Sequence, residues 1–232
     1  MGLTPSQRRR LMAMYLRVDP VSFDPNTVHL YTSSDLPVNR GTVHDIGLEV
    51  ESVDAFAMSV AREWFDALRD ADTPCLTTLR SRIADSSHPE IRYGEVLVLD
   101  TPPNRMSLPS PYHRASERVP FHPDLDAWLQ KPPDVRVAFH EHVIAGAFPR
   151  PFEGAAFSGS PVYVVKEHRG RGLGKYLVSA VAERIRAQSL IPVALIADRN
   201  TVSRRTFRAV GYERELAVGT LSIRRENDAR TA

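Results

Sequence analysis

Cysteine is almost absent from this chain, which has Cys75 alone among 232 residues. An intrachain disulfide is therefore excluded, and such cysteine usage fits a reducing compartment. No apolar run approaches the length of a membrane-spanning helix, and the arginines near the N-terminus are not followed by the apolar segment of a secretory signal. We therefore expect a cytoplasmic protein with no membrane attachment.

A strong net charge is missing as well, because 30 Lys and Arg residues face 28 Asp and Glu residues and leave a formal charge of +2. This balance does not by itself indicate a nucleic-acid-binding protein. Basic groups at Arg8 to Arg10 and at Arg199 to Arg208 keep that hypothesis open. A solvated helix face or the charge of a phosphate ligand explains them more simply. We expect no nucleic-acid partner and predict no metal site.

The composition is that of a soluble globular protein, with 42% hydrophobic and 25% charged residues. The length allows one large domain, or one domain with a substantial extension. We predict an N-terminal region of helices and strands over 1–123, which would shape a substrate pocket, a core domain over 124–225 and a tail over 226–232. The long proline-rich stretch from Thr101 to Pro123 is typical of a boundary or of a lid that faces the substrate.

The N-terminal region carries few but specific signals. Thr4 followed by Pro5 and Gln7 predicts a helix start with a capping box. The apolar spacing from Ser52 to Asp70 predicts the longest helix of this half. A strand is predicted over Glu95 to Leu99, after a turn at Tyr93-Gly94.

The C-terminal region begins with two apolar runs, Val135 to Phe139 and Val143 to Ala147, which predict a hairpin. Glu153 to Val165 is then predicted as a long strand with Pro161 inside it. Since proline cannot donate to a sheet ladder, a bulge, a splay or a sheet edge is expected at this position.

A glycine-rich turn follows this strand. Gly170, Gly172 and Gly174 alternate with other residues and lead into a predicted helix from Leu173 to Gln188. Glycines permit positive φ and a close approach of the backbone to a ligand, and the first N–H groups of a helix attract anions. Three cations stand among the glycines, namely Arg169, Arg171 and Lys175. The turn is suited to a phosphate or pyrophosphate, the simpler alternative being a solvated basic turn.

The spacing excludes the two commonest nucleotide motifs. Only three residues separate Gly170 from Gly174-Lys175, where a P-loop requires four, and Tyr176 stands where Ser or Thr is needed. A dinucleotide fingerprint requires two residues between its second and third glycines, but Leu173 alone separates Gly172 from Gly174.

The pattern Arg169-x-x-Gly172-x-Gly174 after an apolar strand instead resembles the acyl-CoA loop of the GNAT N-acetyltransferase superfamily. A second block, from Asn200 to Tyr212, is similar to the family's later segment, with a small residue at Ser203 and an aromatic at Phe207. The resemblance covers roughly 134–223. It implies an α/β (α+β) fold whose mixed, mostly antiparallel central sheet is flanked by helices and splayed at the acyl-CoA strand.

The resemblance also implies a ligand and its contacts. The cofactor, acetyl-CoA as acyl donor, would place its pyrophosphate on the glycine turn and its pantetheine arm along the apolar strand, much like an added strand. Asn200 and Ser203 would lie along that arm and Phe207 near the sulfur. The simpler roles for these three are a helix cap, an exposed helix residue and a core residue. The expected cofactor-binding residues are Val162, Tyr163, Val164, Arg169, Gly170, Arg171, Gly172, Leu173, Gly174, Lys175, Asn200, Ser203 and Phe207.

The implied activity is the transfer of an acetyl group to a small-molecule or protein amine by direct attack in a ternary complex. Two family features are missing. Phe207 replaces a tyrosine proposed as the acid in many members, and Leu195 stands where some have a glutamate base. Glu153 and Tyr163 are our catalytic candidates, with His140 and Glu141 as further ones. The loss of the acid motivates an alternative, a non-catalytic CoA-binding regulatory module. Homodimerisation through sheet edges is compatible with either.

Overall fold

The computed structural model describes residues 3–19, 23, 30–32, 38–40, 43–52, 56–69, 71, 74–83, 89–129, 132–151, 157–159 and 161–224. The chain divides into two compact units. We call residues 2–96, 197–199 and 214–232 the N-terminal unit, and residues 97–196 and 200–213 the cavity unit.

The N-terminal unit is built on a mostly antiparallel set of strands. Its strands are β1 (Leu30–Thr32), β2 (Val38–Arg40), β3 (Val43–Glu51), β4 (Phe56–Val60), the first part of β5 (Glu90–Val98) and nearly all of β13 (Glu213–Arg224). β3 lies between β4 and β13 and is antiparallel to both, whereas β1 is parallel to β4. β2 pairs with β3.

The described residues of the same unit form the helices α1 (Pro5–Leu16), α2 (Arg62–Arg69) and α3 (Leu76–Ser81). The predicted capping box of α1 is confirmed, with the Thr4 side chain accepting from the N–H of Gln7. Cys75 is the N-cap of α3, and its sulfur accepts from the N–H of Thr78. The core of the unit includes Ile46, Met58, Leu68 and Leu76, which are fully buried.

The cavity unit contains two groups of strands. In the first, β11 (Val162–Val164), β8 (His142–Ala147), β7 (Val135–Phe139) and β6 (His113–Arg114) form an antiparallel sheet in this order. In the second, β10 (Phe157–Gly159) pairs in parallel with β12 (Ile191–Ala197) and antiparallel with β9 (Arg150–Pro151). The predicted hairpin is therefore confirmed as β7 and β8.

The helices of this unit are α4 (Pro123–Trp128), α5 (Leu173–Ala187) and α6 (Thr201–Val210). The predicted helix is confirmed as α5, and its apolar side chains at four-residue spacing are buried: Leu173, Leu177, Val181 and Ile185 are inaccessible to solvent or nearly so. α6 begins at its predicted cap Asn200 and ends at Gly211, whose φ of 109° explains why glycine occurs there.

The predicted helix from Ser52 to Asp70 is wrong in its first half. Phe56–Val60 forms β4, and only Arg62–Arg69 is helical. The four residues from Ala57 to Val60 are all buried. A strand covered on both faces carries an unbroken apolar run, which periodicity alone cannot distinguish from a buried helix.

Two strand predictions need correction as well. β5 begins at Glu90, so Tyr93-Gly94 lies inside the strand and is not a turn. The long strand expected from Glu153 to Val165 is two separate strands, with β10 beside β12 and β11 beside β8. Pro161 stands between them, where it needs no ladder hydrogen bond.

The predicted fold class is confirmed, because the strands are mostly antiparallel and helices flank them. The domain division predicted over 1–123, 124–225 and 226–232 stays a prediction, as does the role expected for the N-terminal region. Of the helices in the described ranges, none combines the length and the apolar character that a membrane span requires.

Candidate functional site

A cavity of about 850 Å³ opens in the cavity unit beside β11 and the N-terminal ends of α5 and α6. The residues that surround it come from the strand, the glycine turn and both helices. They are Val162, Tyr163, Val164, His168, Arg169, Gly170, Gly172, Leu173, Gly174, Lys175, Val178, Asn200, Val202, Ser203, Thr206 and Phe207.

The glycine turn forms one end of this cavity. Gly170 and Gly172 have φ of 76° and 82°, which side chains with a Cβ adopt only at a cost. Gly172 is the residue that precedes α5, and its carbonyl accepts from the N–H of Tyr176. The N–H groups of the first helical turn have no intrahelical acceptor by helix geometry. The turn therefore offers N–H groups and the positive end of a helix dipole at one place.

The strand β11 directs its backbone groups alternately to two sides. The N–H of Val165 donates to the carbonyl of Ile144 on β8, and the carbonyl of Pro161 accepts from Phe148. In an antiparallel register with Tyr163 opposite Gly146, these bonds place the backbone groups of Val162 and Val164 on the side away from β8. On that side the carbonyl of Val164 accepts from Nε of Arg169 at 2.9 Å.

The third wall comes from α6. The Asn200 side chain accepts from the N–H of Ser203 at 3.1 Å, so Asn200 is a helix cap whatever else it does. Phe207 is 7% exposed and packs edge-on against Tyr212, with ring centres 5.0 Å apart. A phenylalanine at this wall supplies an apolar surface and no proton.

One histidine at the cavity was not singled out from the sequence. The ring of His168 packs against Phe139 and Tyr112, and its Nδ1 lies 3.2 Å from the Tyr112 hydroxyl. Burial, assisted by the nearby Arg171, lowers the pKa of His168 below its ordinary value. A neutral ring can accept a hydrogen bond from the Tyr112 hydroxyl at Nδ1. This hydrogen bond links the long 101–123 segment to the start of the glycine turn.

Twelve of the thirteen residues expected to bind the cofactor surround the cavity, and Arg171 alone does not. Their binding roles stay predictions. Tyr163 also lies at the cavity, whereas Glu153 lies outside the described residues, and His140 and Glu141 belong to the β7–β8 turn. The cavity residues that we missed are His168, Val178, Val202 and Thr206. Val178 and Thr206 could have been found from the sequence, because they lie one helical turn after Gly174 and Ser203, at i+4 and i+3.

Comparison with known proteins identifies the same part of the chain. A family model described as FR47-like protein matches residues 150–218. An L-methionine sulfoximine/L-methionine sulfone acetyltransferase of Pseudomonas aeruginosa is 46% identical over 68 residues, as is its counterpart in Pseudomonas paraeruginosa. These matches cover 28% of this chain, which spans about 38% of the length of these curated relatives.

Solved structures with a similar chain path include a putative GNAT-family acetyltransferase from Novosphingobium aromaticivorans. It is 16% identical, with 83% of this chain and 92% of that chain covered and a TM-score of 0.47. A GNAT-family acetyltransferase from Colwellia psychrerythraea is 11% identical, with 64% and 61% covered and a TM-score of 0.48. With the family model and the acetyltransferase relatives, the resemblance predicted from the two sequence blocks is confirmed for the C-terminal half of the chain.

Proposed function

We propose that this chain, whose C-terminal half carries a GNAT superfamily domain, is an N-acyltransferase that moves an acetyl group from acetyl-CoA to an amine. The amine attacks directly while both substrates are bound. One observation carries the proposal, namely the single cavity that joins a positive-φ glycine turn, a helix N-terminus and an open strand edge. These are the three features that a pyrophosphate with an amide-rich arm requires.

The pyrophosphate of the donor belongs at the turn from Arg169 to Lys175. The N–H groups there converge on an anion, and Lys175 adds a positive charge at the cavity wall. The two positive-φ glycines bring the backbone close to the phosphate oxygens, which a Cβ would prevent.

The pantetheine arm belongs along β11. Val162 and Val164 direct their backbone groups away from β8, so they can pair with the two amides of the arm as a neighbouring strand would. Tyr163 directs its backbone groups to β8, so its backbone does not pair with the arm. Of the three strand residues expected to bind, two act through the backbone in this proposal.

The reaction does not require a strong general acid. Acyl transfer to an amine forms a C–N bond, breaks the C–S bond of the thioester and releases the CoA thiolate and a proton from the amine. A thiol has a pKa of about 8.5, so its anion leaves without a strong donor and Phe207 is compatible with turnover. The main contribution of the protein is to hold the two substrates in reacting geometry. Glu153 and Tyr163 remain our candidates for moving the amine proton.

The acceptor is a small-molecule or protein amine. The named activity of the Pseudomonas relatives makes L-methionine sulfoximine and L-methionine sulfone the first acceptors to test, since both carry a free α-amine. We also propose that the protein is cytoplasmic, on the ground of its single cysteine, and that it needs neither nucleic acid nor membrane.

The test combines binding with turnover. Release of free CoA thiol from acetyl-CoA should be measured with a thiol reagent across an amine panel that includes the two relatives' substrates. Because Cys75 is a free, partly exposed thiol and thiol reagents modify accessible thiols, the assay should use Cys75→Ser protein. Saturating CoA at about 100 times its Kd should stabilise the fold by about 2.7 kcal/mol. A melting temperature that does not respond to CoA would refute the proposal.

A matched pair of variants tests the location of the site. Lys175 lines the cavity and Arg171 does not, although both are exposed cations of one turn. Lys175→Gln should weaken CoA binding several-fold in calorimetry, and Arg171→Gln should change it little. Equal losses would mean that net charge, not the cavity, attracts the ligand.

The alternative is a non-catalytic module that binds CoA and regulates another process. Phe207 favours it, because the acid proposed for many family members is missing. Stabilisation by CoA without turnover of any amine would support this alternative. If the native protein is active and Phe207→Tyr leaves its rate unchanged, the missing hydroxyl has no bearing on catalysis.

A further inference from the structure

Three aromatic side chains of the cavity unit lie together next to β11. The indole of Trp128 is stacked on the ring of Tyr163, with centres 5.0 Å apart and planes inclined by 26°. Phe148 packs against the other part of the indole at 6.3 Å. Trp128 is nevertheless 38% exposed, which is unusual for the largest apolar side chain of a protein.

This group lies on the opposite face of β11 from the helices of the cavity. Val162 packs on the cluster that includes Val178 of α5 and Phe207 of α6. Neighbouring strand residues point to opposite faces, so Tyr163 points away from those helices. Its cross-strand partner Gly146 shows what lies there, because a Cβ on Gly146 would be 2.7 Å from Pro133. α4 and the segment that follows it therefore pack on part of this face, and the indole of Trp128, at the end of α4, is partly exposed to solvent there.

The ring of Tyr163 is held in place from two directions. Trp128 stacks on it, and the guanidinium carbon of Arg169 lies 5.7 Å from its centre. Arg169 is fixed in turn by its hydrogen bond to the carbonyl of Val164. An aromatic surface that is ordered before a ligand arrives loses little conformational freedom on binding.

The proposed donor occupies the α5 and α6 face and the edge of β11, which leaves the other face as the approach for the amine. We infer that the exposed indole of Trp128, positioned by Tyr163, forms a wall of the acceptor site and selects amines that carry an aromatic or branched apolar side chain. This inference rests on the proposed transferase function. Aromatic stacking of such a side chain adds to the free energy of its burial, whereas a short amine cannot use this surface.

The kinetic test compares phenethylamine with ethylamine as acceptors at saturating acetyl-CoA. Replacing Trp128 by Ala should lower the ratio of their kcat/KM values by about tenfold, mainly through the KM of phenethylamine. Trp128→Phe should retain most of the ratio. Tyr93→Ala is the matched control, because Tyr93 is an aromatic that is 46% exposed and belongs to the N-terminal unit. A ratio unchanged in Trp128→Ala, or lowered equally in Tyr93→Ala, would overturn the inference.

A binding test separates this inference from the proposed function. The chain has two tryptophans, so Trp64→Phe leaves Trp128 as the fluorescent reporter. Phenethylamine added in the presence of CoA should change the fluorescence saturably, and ethylamine should not. If CoA binds and amines turn over but the fluorescence does not respond, Trp128 does not line the acceptor site, while the proposed transferase function is supported. If CoA does not bind at all, the transferase proposal fails first, and a saturable response would still place an amine at Trp128.

Discussion

The two units of the chain differ in where their polar groups lie and in what those groups contact. Of the five polar side chains that are buried among the described residues, Asp45, Ser59, Glu95 and Ser222 lie in the N-terminal unit and only Ser179 lies in the cavity unit. Asp45 accepts from Ser222 at 2.6 Å and lies 3.2 Å from Nη2 of Arg92. The N-terminal unit therefore secures its strands with internal polar contacts.

The cavity unit instead leaves polar backbone groups facing outward. Within the part of the chain that the structure describes, the glycine turn and the side of β11 away from β8 present N–H and C=O groups to a cavity and not to other strands. Unsatisfied backbone groups are costly when buried, and they are retained where a ligand or water can satisfy them. The comparison indicates that substitutions in the N-terminal unit should act mainly on stability, whereas those at the turn should also weaken ligand binding.

The largest effect is expected at the buried carboxylate of the N-terminal unit. Asp45→Ala removes the partner of Arg92 and the acceptor of Ser222, and should cost about 2–3 kcal/mol of unfolding free energy. The value lies at the lower end for a buried pair because the Arg92 side chain is 39% exposed and water can replace the carboxylate. Urea unfolding measures the loss. Asp45→Asn, which keeps the shape and an acceptor, should lose less.

At the glycine turn, a substitution should weaken CoA binding as well as lower stability. Gly172→Val forces a β-branched residue to a φ of 82°, which costs about 1–2 kcal/mol, and it disturbs the first N–H groups of α5. We expect CoA affinity to fall at least about tenfold, which is about 1.4 kcal/mol. Gly172→Asn is the control, because asparagine tolerates this φ and should retain part of the affinity. Full affinity in Gly172→Val would separate the turn from CoA binding.

The contact between Tyr112 and His168 should give an intermediate effect with a defined pH dependence. Tyr112→Phe removes one hydrogen bond and should cost about 1 kcal/mol at pH 8. The pKa of His168 is lowered in the folded state. As pH falls below 6.5, the His168 ring is therefore protonated in the unfolded chain before it is protonated in the folded chain. The neutral ring that accepts from Tyr112 is therefore favoured above pH 6.5 and lost as pH falls through the lowered pKa. Thermal melts of both proteins between pH 5 and 8 measure the difference, which should shrink in acid.

The smallest effect is expected at Glu49, a half-buried carboxyl of the N-terminal unit. Burial raises its pKa and Glu51 raises it further, while the N–H of Leu76, which donates to it at 2.9 Å, opposes the rise. The folded state therefore binds the carboxyl proton of Glu49 more tightly than the unfolded state does. The stability of the fold falls as pH rises through the raised pKa of Glu49. Glu49→Gln should raise the melting temperature by about 1–2 °C at pH 7. The gain should vanish below pH 4.5, and a gain that persists there would have another cause.

Much of the candidate site could be predicted from local sequence patterns. Glycines at alternate positions, a helical stripe and an asparagine cap are local signals, and each corresponds to a feature of the cavity unit. The errors occurred where burial, not local preference, decides the structure. The apolar run from Ala57 to Val60 is helical by periodicity, but it lies in a strand with both faces covered.

The sequence alone determined the glycine turn, its helix and the capped start of α6, since these follow from the backbone freedom and hydrogen bonding of neighbouring residues. Only the tertiary structure decided that β10 and β11 belong to different sheets, that Tyr112 reaches His168 and that Trp128 stacks on Tyr163. The two side-chain contacts join residues 35 and 56 positions apart, and the strand pairing depends on which strand lies alongside; no local rule specifies such pairings.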